Sequence, residues 1–203
     1  YNPSIGTLDL DAATSLGGLV LRQNDELTTV TWAGIDSVGG DVIFYDNAVL
    51  TLPDHSNIVQ VDGDWGLWYS ETTNLDDLGS LEALLGDLYL VDNGLQSVDL
   101  SSLSQLGGLY LYNEDLSSFD LSGLETPLTG NFTVAYNYDL DDFGWPEFGD
   151  LEGDFTWTYN GPTEAIEADT LSSVSGSVNV SDASWGAIED VEFDNLESVG
   201  GSF

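Results

Sequence analysis

One short motif returns along the whole chain at a spacing too regular for chance. It reads apolar-x-Gly-(Asp/Asn/Ser)-apolar-x-apolar, and it occurs at Val38–Phe44, Val61–Leu67, Leu128–Val134, Leu151–Trp157 and Val174–Val180. Three copies read as one residue shorter, at Leu16–Leu21, Leu85–Leu90 and Leu106–Leu111, and a last one runs from Val199 to Phe203. The residues that open the apolar alternation are Leu19, Val42, Trp65, Leu88, Leu109, Phe132, Phe155, Val178 and Phe203. Their spacings are 23, 23, 23, 21, 23, 23, 23 and 25. A fixed period with one short alternating stretch per repeat is the signature of a solenoid, in which each repeat lays one strand beside the last in parallel.

The period assigns faces. Leu21, Phe44, Leu67, Leu90, Leu111, Val134, Trp157 and Val180 stand two residues after the strand openers and so share their inward face. The Gly before each strand fits a tight corner with positive φ. Five residues after the openers come Asn24, Asn47, Ser70, Asn93, Glu114, Asn137, Asn160 and Ala183. Stacked Asn side chains can hydrogen-bond from turn to turn and satisfy backbone that no sheet reaches. A second apolar set, Leu27, Leu50, Leu75, Leu95, Leu116 and Leu140, packs the next side of the coil. The sequence therefore predicts an all-β repeat fold, 1–203 as one continuous parallel β-solenoid of about nine turns with ~23 residues per turn, right-handed and uncapped at both ends. At about 4.8 Å per strand its length is roughly 40 Å.

Within this frame, Leu85-x-x-Leu88-x-Leu90-x-x-Asn93-x-Leu95 matches the leucine-rich-repeat core pattern. The fuller Val-Gly-Gly-Asp-apolar-x-apolar-x-x-Asn form resembles the receptor L-domain group. That resemblance implies a right-handed β-solenoid of the kind found in receptor ectodomains, fungal cell-wall proteins and microbial surface proteins. It covers essentially the whole chain, and it implies fold far more than function.

Composition narrows the function classes. The chain carries 37 Asp+Glu against a single Lys+Arg, a formal charge of −36. Nucleic acid and anionic membrane surfaces need Lys and Arg and are excluded as partners. At 41% hydrophobic and 11% aromatic the chain is too apolar for a disordered acidic tail. No apolar run reaches the length of a membrane span. Zero Cys and one His rule out a disulfide scaffold, a thiolate metal site and a His-rich metal site. Self-repulsion among the carboxylates calls for salt, for divalent cations or for a fibre that absorbs it.

Outward strand positions offer candidate sites. Tyr45, Trp68, Tyr89, Tyr110 and Tyr112 fall on one exposed sheet, a ligand- or partner-binding strip for sugar rings or a protein footprint. From Thr133 onward the same positions turn to Thr and Ser, so the strip reads as local. Asn131-Phe-Thr133 and Asn179-Val-Ser181 are N-glycosylation acceptors. The pairs Asp62/Asp64, Asp76/Asp77 and Asp141/Asp142 could hold calcium weakly, but no calcium-loop motif is present and no metal site is assigned. Among so many carboxylates a glycosidase pair carries no information. His55 reads as a surface loop residue and Trp145-Pro146 as corner packing.

Tyr1-Asn2 aligns with Tyr136-Asn137 and Tyr159-Asn160, and Phe203 aligns with a strand opener. Tyr1, Asn2 and Phe203 thus read as cut turns. They make the chain a segment of a longer array, or a fibre subunit stacked end to end. The sequence points to a non-enzymatic, extracellular structural or adhesive β-solenoid of the cell surface. It assembles with itself into a filament and requires no cofactor, and any calcium it takes up is weakly bound. The rival expectation is a receptor-like module that binds glycan or surface protein through the aromatic strip.

Overall fold

In the computed structural model the chain is described over residues 5–50, 57–72, 75–113, 115–147, 149–161, 165–181, 188 and 190–203. It is an all-β, parallel β-solenoid with ~23 residues per turn and about 7 turns, not the nine expected, because eight of the nine openers lie in main-sheet strands and Phe203 does not. The main sheet runs in the order Leu19–Arg22, Val42–Tyr45, Trp65–Ser70, Ala83–Asn93, Gln105–Tyr112, Phe132–Ala135, Phe155–Thr158, Val178–Ser181. Every neighbouring pair is parallel. The register joins Leu19 to Val42, Val42 to Trp65, Trp65 to Leu88, Leu88 to Leu109, Leu109 to Phe132, Phe132 to Phe155 and Phe155 to Val178. The periodic openers are thus direct partners, because a slip by one residue would turn every buried side chain outward. Phe203 lies outside the strands, although the Val178 N–H donates to the Ser202 carbonyl.

Two narrower sides close the coil. On one, Ser97–Asp99, Ser118–Asp120 and Asp142–Gly144 pair in sequence, as do Thr7–Asp9 with Thr29–Thr31 and Ala165–Glu167 with Asp190–Glu192. On the other, Ser37–Val38 pairs with Gln60–Val61, and Asp150–Leu151 with Ser173–Val174 and then Ser198–Val199. Inside lies one continuous apolar column. The second apolar set is buried as the period requires, from Leu27 to Leu140. Aromatic core residues stack from turn to turn, as in Phe132–Phe155 with centroids 5.2 Å apart and Phe119–Phe143 with centroids 5.7 Å apart. Trp145 packs against Phe143 and Trp157 beside this column.

Three details differ from the sequence expectation. The first concerns the glycines before the strands. A Cβ at Gly63 would lie 2.6 Å from the Gly40 carbonyl carbon and 2.7 Å from the Asp41 nitrogen, and one at Gly107 2.5 Å from the Gly86 oxygen. Positive φ is found at Gly18, just before Leu19, with φ 156°; at Gly63 and Gly107 glycine is required instead by backbone stacked on backbone. The described non-glycine residues with positive φ fall one residue before the Asn ladder, at Gln23, Asp46, Tyr69, Asp92, Tyr136 and Tyr159, between 49° and 59°.

The second difference is the ladder itself. Asn113, not Glu114, occupies the rung between Asn93 and Asn137; Glu114 lies outside the described residues. The Asn93 N–H donates to Asn113 Oδ1 at 2.8 Å, and the Asn113 N–H to Asn137 Oδ1 at 2.7 Å. This turn omits the left-handed residue, so strand and ladder are one residue closer than elsewhere. The third difference is at Leu84. It pairs with Val61 and is fully buried, while Leu85 is 49% exposed, so this copy of the motif has full length and its inward residue is Leu84. The short copy at Leu106–Leu111 is absorbed by a register shift between Leu106 and Gly108.

Candidate functional site

The outward face of the main sheet carries the chemistry that the core does not explain. Every described tyrosine lies on this face or in the turn that follows it: Tyr45, Tyr69, Tyr89, Tyr110, Tyr112, Tyr136, Tyr138 and Tyr159. The fully buried large aromatics are Phe and Trp. The division has a simple cause, since a phenol hydroxyl needs a partner or water and an inward strand position offers neither.

The zero-offset register brings the five expected strip residues together. Trp68 leans back over Gly66 and fills the space a side chain would take there. From that position its ring stacks on Tyr89, centroids 5.1 Å apart, and Tyr89 stacks on Tyr110 at 4.7 Å with planes within 11°. Tyr45 joins the other side of Trp68 at 6.4 Å. Rings in contact at about 3.5 Å between planes, with centroids this far apart, overlap like shingles inclined roughly 40°. Each ring covers part of the next, and all five residues are half-buried. Tyr112 opens a second stack that continues through Tyr136 at 6.1 Å to Tyr159 at 5.1 Å.

The strip is therefore longer than its strand positions imply. Tyr69, Tyr136 and Tyr159 stand at the left-handed turn position, and Tyr138 packs edge-on against Tyr136. These four tyrosines are 44–47% exposed. Sequence reasoning that followed strand alternation alone passed over them. The signal that finds them is residue type, since Tyr replaces the Gln or Asp of other turns.

Carboxylates border the strip. On the corner before the strands, Asp41 Oδ1 accepts the Asp64 N–H at 3.0 Å and Asp64 Oδ1 accepts the Asp87 N–H at 2.9 Å. Asn131 and Asp154 continue this second ladder. On the far side stand Asp46 and Asp92. The Tyr89 hydroxyl donates to Asp87 Oδ2 at 2.9 Å. Burial, then that hydrogen bond, then the negative charges of Asp87 and Asp64 push the Tyr89 phenol above its ordinary range. Burial, followed by Tyr136 and Tyr110, does the same for Tyr112. Arg22 sits at the head of the strip with its guanidinium carbon 6.0 Å from the Tyr45 ring centroid.

The sequon asparagines differ. Asn179 projects from the sheet and is exposed. Asn131 is part of the corner ladder: its Oδ1 accepts the Asp154 N–H at 2.9 Å and its Nδ2 donates to the Tyr110 hydroxyl at 2.7 Å. Phe203 is 81% exposed. Tyr1, Asn2 and His55 lie outside the described residues, as do the side chains of Asp76 and Asp77. Asp62 accepts from Gln60 Nε2, and Asp142 from the Ser118 hydroxyl.

Among the described residues no three or more His, Cys, Asp or Glu side chains converge as a metal would need. The recess lined by Leu84, Leu85, Gln105, Leu106, Gly107, Thr126, Pro127 and Thr129 holds ≈ 240 Å³, below the usual range of small-molecule pockets. No described helix is long and apolar enough to cross a membrane. No family model, curated protein or solved structure matches the chain.

Proposed function

We propose that this chain is a non-enzymatic structural or adhesive β-solenoid of the cell surface, and that its turns continue along the coil axis into a filament. One observation carries the reading: apart from the turn between Leu88 and Leu109, the turns nearly repeat by translation. The strand openers pair in register from Leu19 to Val178, and a backbone N–H to side-chain Oδ1 bond recurs along the Asn and Asp ladders, interrupted at Ser70 in the first and at Gly108 in the second. A turn of this kind is a template for another turn, whether the next one belongs to the same chain or to a second copy. The Gly-Asp corner pattern and Asn ladder support kinship with receptor L domains and leucine-rich repeats, and through them an extracellular setting. Calcium screening the carboxylates fits that setting and needs no dedicated site.

The test is electron microscopy of the purified chain at neutral pH, with calcium and again with chelator. Rods with an axial repeat are the expected result, and calcium dependence would give the carboxylates their role. Monodisperse particles under both conditions would sink the filament.

The aromatic strip favours a second reading, a surface module that binds protein or glycan. Sugar stacking needs open ring faces, and the shingled rings of Trp68, Tyr89 and Tyr110 offer each other part of theirs. A protein footprint suits the strip better. A Tyr45→Ala, Trp68→Ala variant separates the readings: lost binding with intact assembly supports the module, and lost assembly supports the filament.

A further inference from the structure

We propose that the aromatic strip from Tyr45 to Tyr112 is a docking surface for an extended, arginine-rich segment of a partner polypeptide. This rests on the strip being a binding surface and does not require axial assembly.

The argument begins with charge. The chain holds 37 carboxylate side chains and one Lys or Arg. Cations that neutralise the borders of the strip must therefore come from outside the fold. A second copy of this chain is a poor occupant, since it would bring the same negative charge to the contact.

Geometry then selects the kind of cation. The strip is about as wide as one strand and runs across successive turns. Asp64 and Asp87 are half-buried on one side of it, and Asp46 and Asp92 stand on the other. Between them lie rings whose faces are only partly covered by their neighbours. A guanidinium is flat, can slide onto a shingled phenol face, and keeps its donor fork free for a carboxylate at the side. An ammonium is a compact, strongly hydrated charge and uses the ring face less well. The protein already displays the contact: Arg22 lies over Tyr45 at the head of the strip. The strip offers further Tyr and Trp positions to arginines that the chain itself does not supply.

The experiment uses the full chain and two probes, deca-arginine and deca-lysine, titrated by calorimetry at 0.15 M and 0.5 M NaCl. The comparison variant is Tyr89→Thr, Tyr110→Thr. It leaves net charge unchanged, and Thr133 and Thr156 already occupy the same register positions two turns on. Deca-arginine is expected to bind the wild type at least about 3-fold more tightly than deca-lysine, and the variant about tenfold more weakly than the wild type. Equal affinity for the two probes, or full retention of deca-arginine by the variant, would reduce the attraction to diffuse charge and overturn the proposal. The probe comparison needs no variant and stands even if the substitutions disturb the fold. A neutral glycan bound by the wild type and lost by the variant would refute the cationic occupant while keeping the strip as a binding surface. Loss of neither would remove both.

Discussion

Replacing Asn137 by Ala tests whether the Asn ladder holds the turns together. Asn137 is fully buried. Its Oδ1 accepts the Asn113 N–H at 2.7 Å, and its Nδ2 donates to the carbonyls of Leu111 at 3.2 Å and Ala135 at 3.1 Å and to Asn160 Oδ1 at 2.8 Å. Alanine removes the acceptor of a buried backbone donor, which costs about 1–3 kcal/mol. It also removes one hydrogen bond from each of two carbonyls, at about 0.5–1.5 kcal/mol apiece. Asn160 Oδ1 keeps the Asn137 N–H at 3.2 Å and loses little. The total spans about 2–6 kcal/mol, with its centre at about 4 kcal/mol. A chain of this size has a urea slope of roughly 2.5–3 kcal/mol/M, so the unfolding midpoint should fall by about 1.5 M with the slope unchanged. Far-UV circular dichroism in urea at fixed salt reads this directly. Asn179→Ala, on the exposed sheet face, is the control and should move the midpoint by less than about 0.2 M. An Asn137→Ala shift no larger than the control's would mean that the ladder is a by-product of stacking and not a source of stability.

Other substitutions and conditions probe the remaining links. Gly63→Ala forces a methyl against the Gly40 and Asp41 backbone and should cost about 1–3 kcal/mol, whereas Gly79→Ala meets nothing within 4 Å and should be near neutral; equal melting temperatures would refute close stacking as the reason for the corner glycines. Thermal stability should climb between 0.05 and 1 M NaCl, because the Debye length shrinks from about 14 Å to about 3 Å while the carboxylates stay stacked at the turn spacing; a flat or falling melting curve would deny that repulsion opposes the fold. Tyr89 and Tyr112 have phenols raised above their unfolded value, so their contribution is complete below about pH 10 and is lost as pH rises beyond it. An ultraviolet titration should find two tyrosines ionising later than the others and together with unfolding, and simultaneous ionisation of all tyrosines at the ordinary pH would contradict the buried stack. In a glycosylating host, peptide mapping should find sugar on Asn179 and none on Asn131, whose Nδ2 is held by Tyr110; full occupancy of Asn131 would show that the corner bond opens freely.

The inward half of this protein is legible in its sequence because the coil imposes it at every turn. Leu19 to Val178 could be placed as partners from spacing alone, since a slip in register would expose the whole apolar set. Where the period was locally broken, spacing misled. Leu84 and Leu85 are adjacent and equally apolar, and only the pairing of Leu84 with Val61 decides which enters the core. Asn113 escaped a fixed offset of five because its turn deletes the left-handed residue that the other turns retain. The role of glycine was misjudged for a different reason: positive φ is a property of one residue, whereas lack of room for a Cβ depends on the neighbouring turn.

The outward half obeys a weaker rule, and this is the half on which both proposed binding readings rest. Strand alternation marked Tyr45, Trp68, Tyr89, Tyr110 and Tyr112 as exposed, but it could not predict that Trp68 would fold over Gly66 to complete a stack. Nor could it reach Tyr136 and Tyr159, which lie beyond the strand and rejoin the strip through the turn. The choice of tyrosine over phenylalanine is informative at all of these positions. Phenylalanine would give the same stacking area, and inside the coil the chain uses it freely. Placing every described phenol on one face adds hydroxyls that the fold needs at only a few points, Asp87 and Asn131 among them. Water can satisfy the others, but so can a partner. A face that combines large, stiff rings, free hydroxyls and bordering carboxylates is costly for a solenoid that only needs to repel itself into solution, because small polar residues would serve that end, as Thr133, Thr156, Asn179 and Ser181 do at the same strand positions of later turns. That surplus over the requirements of the coil is what supports the proposal that the strip contacts another molecule.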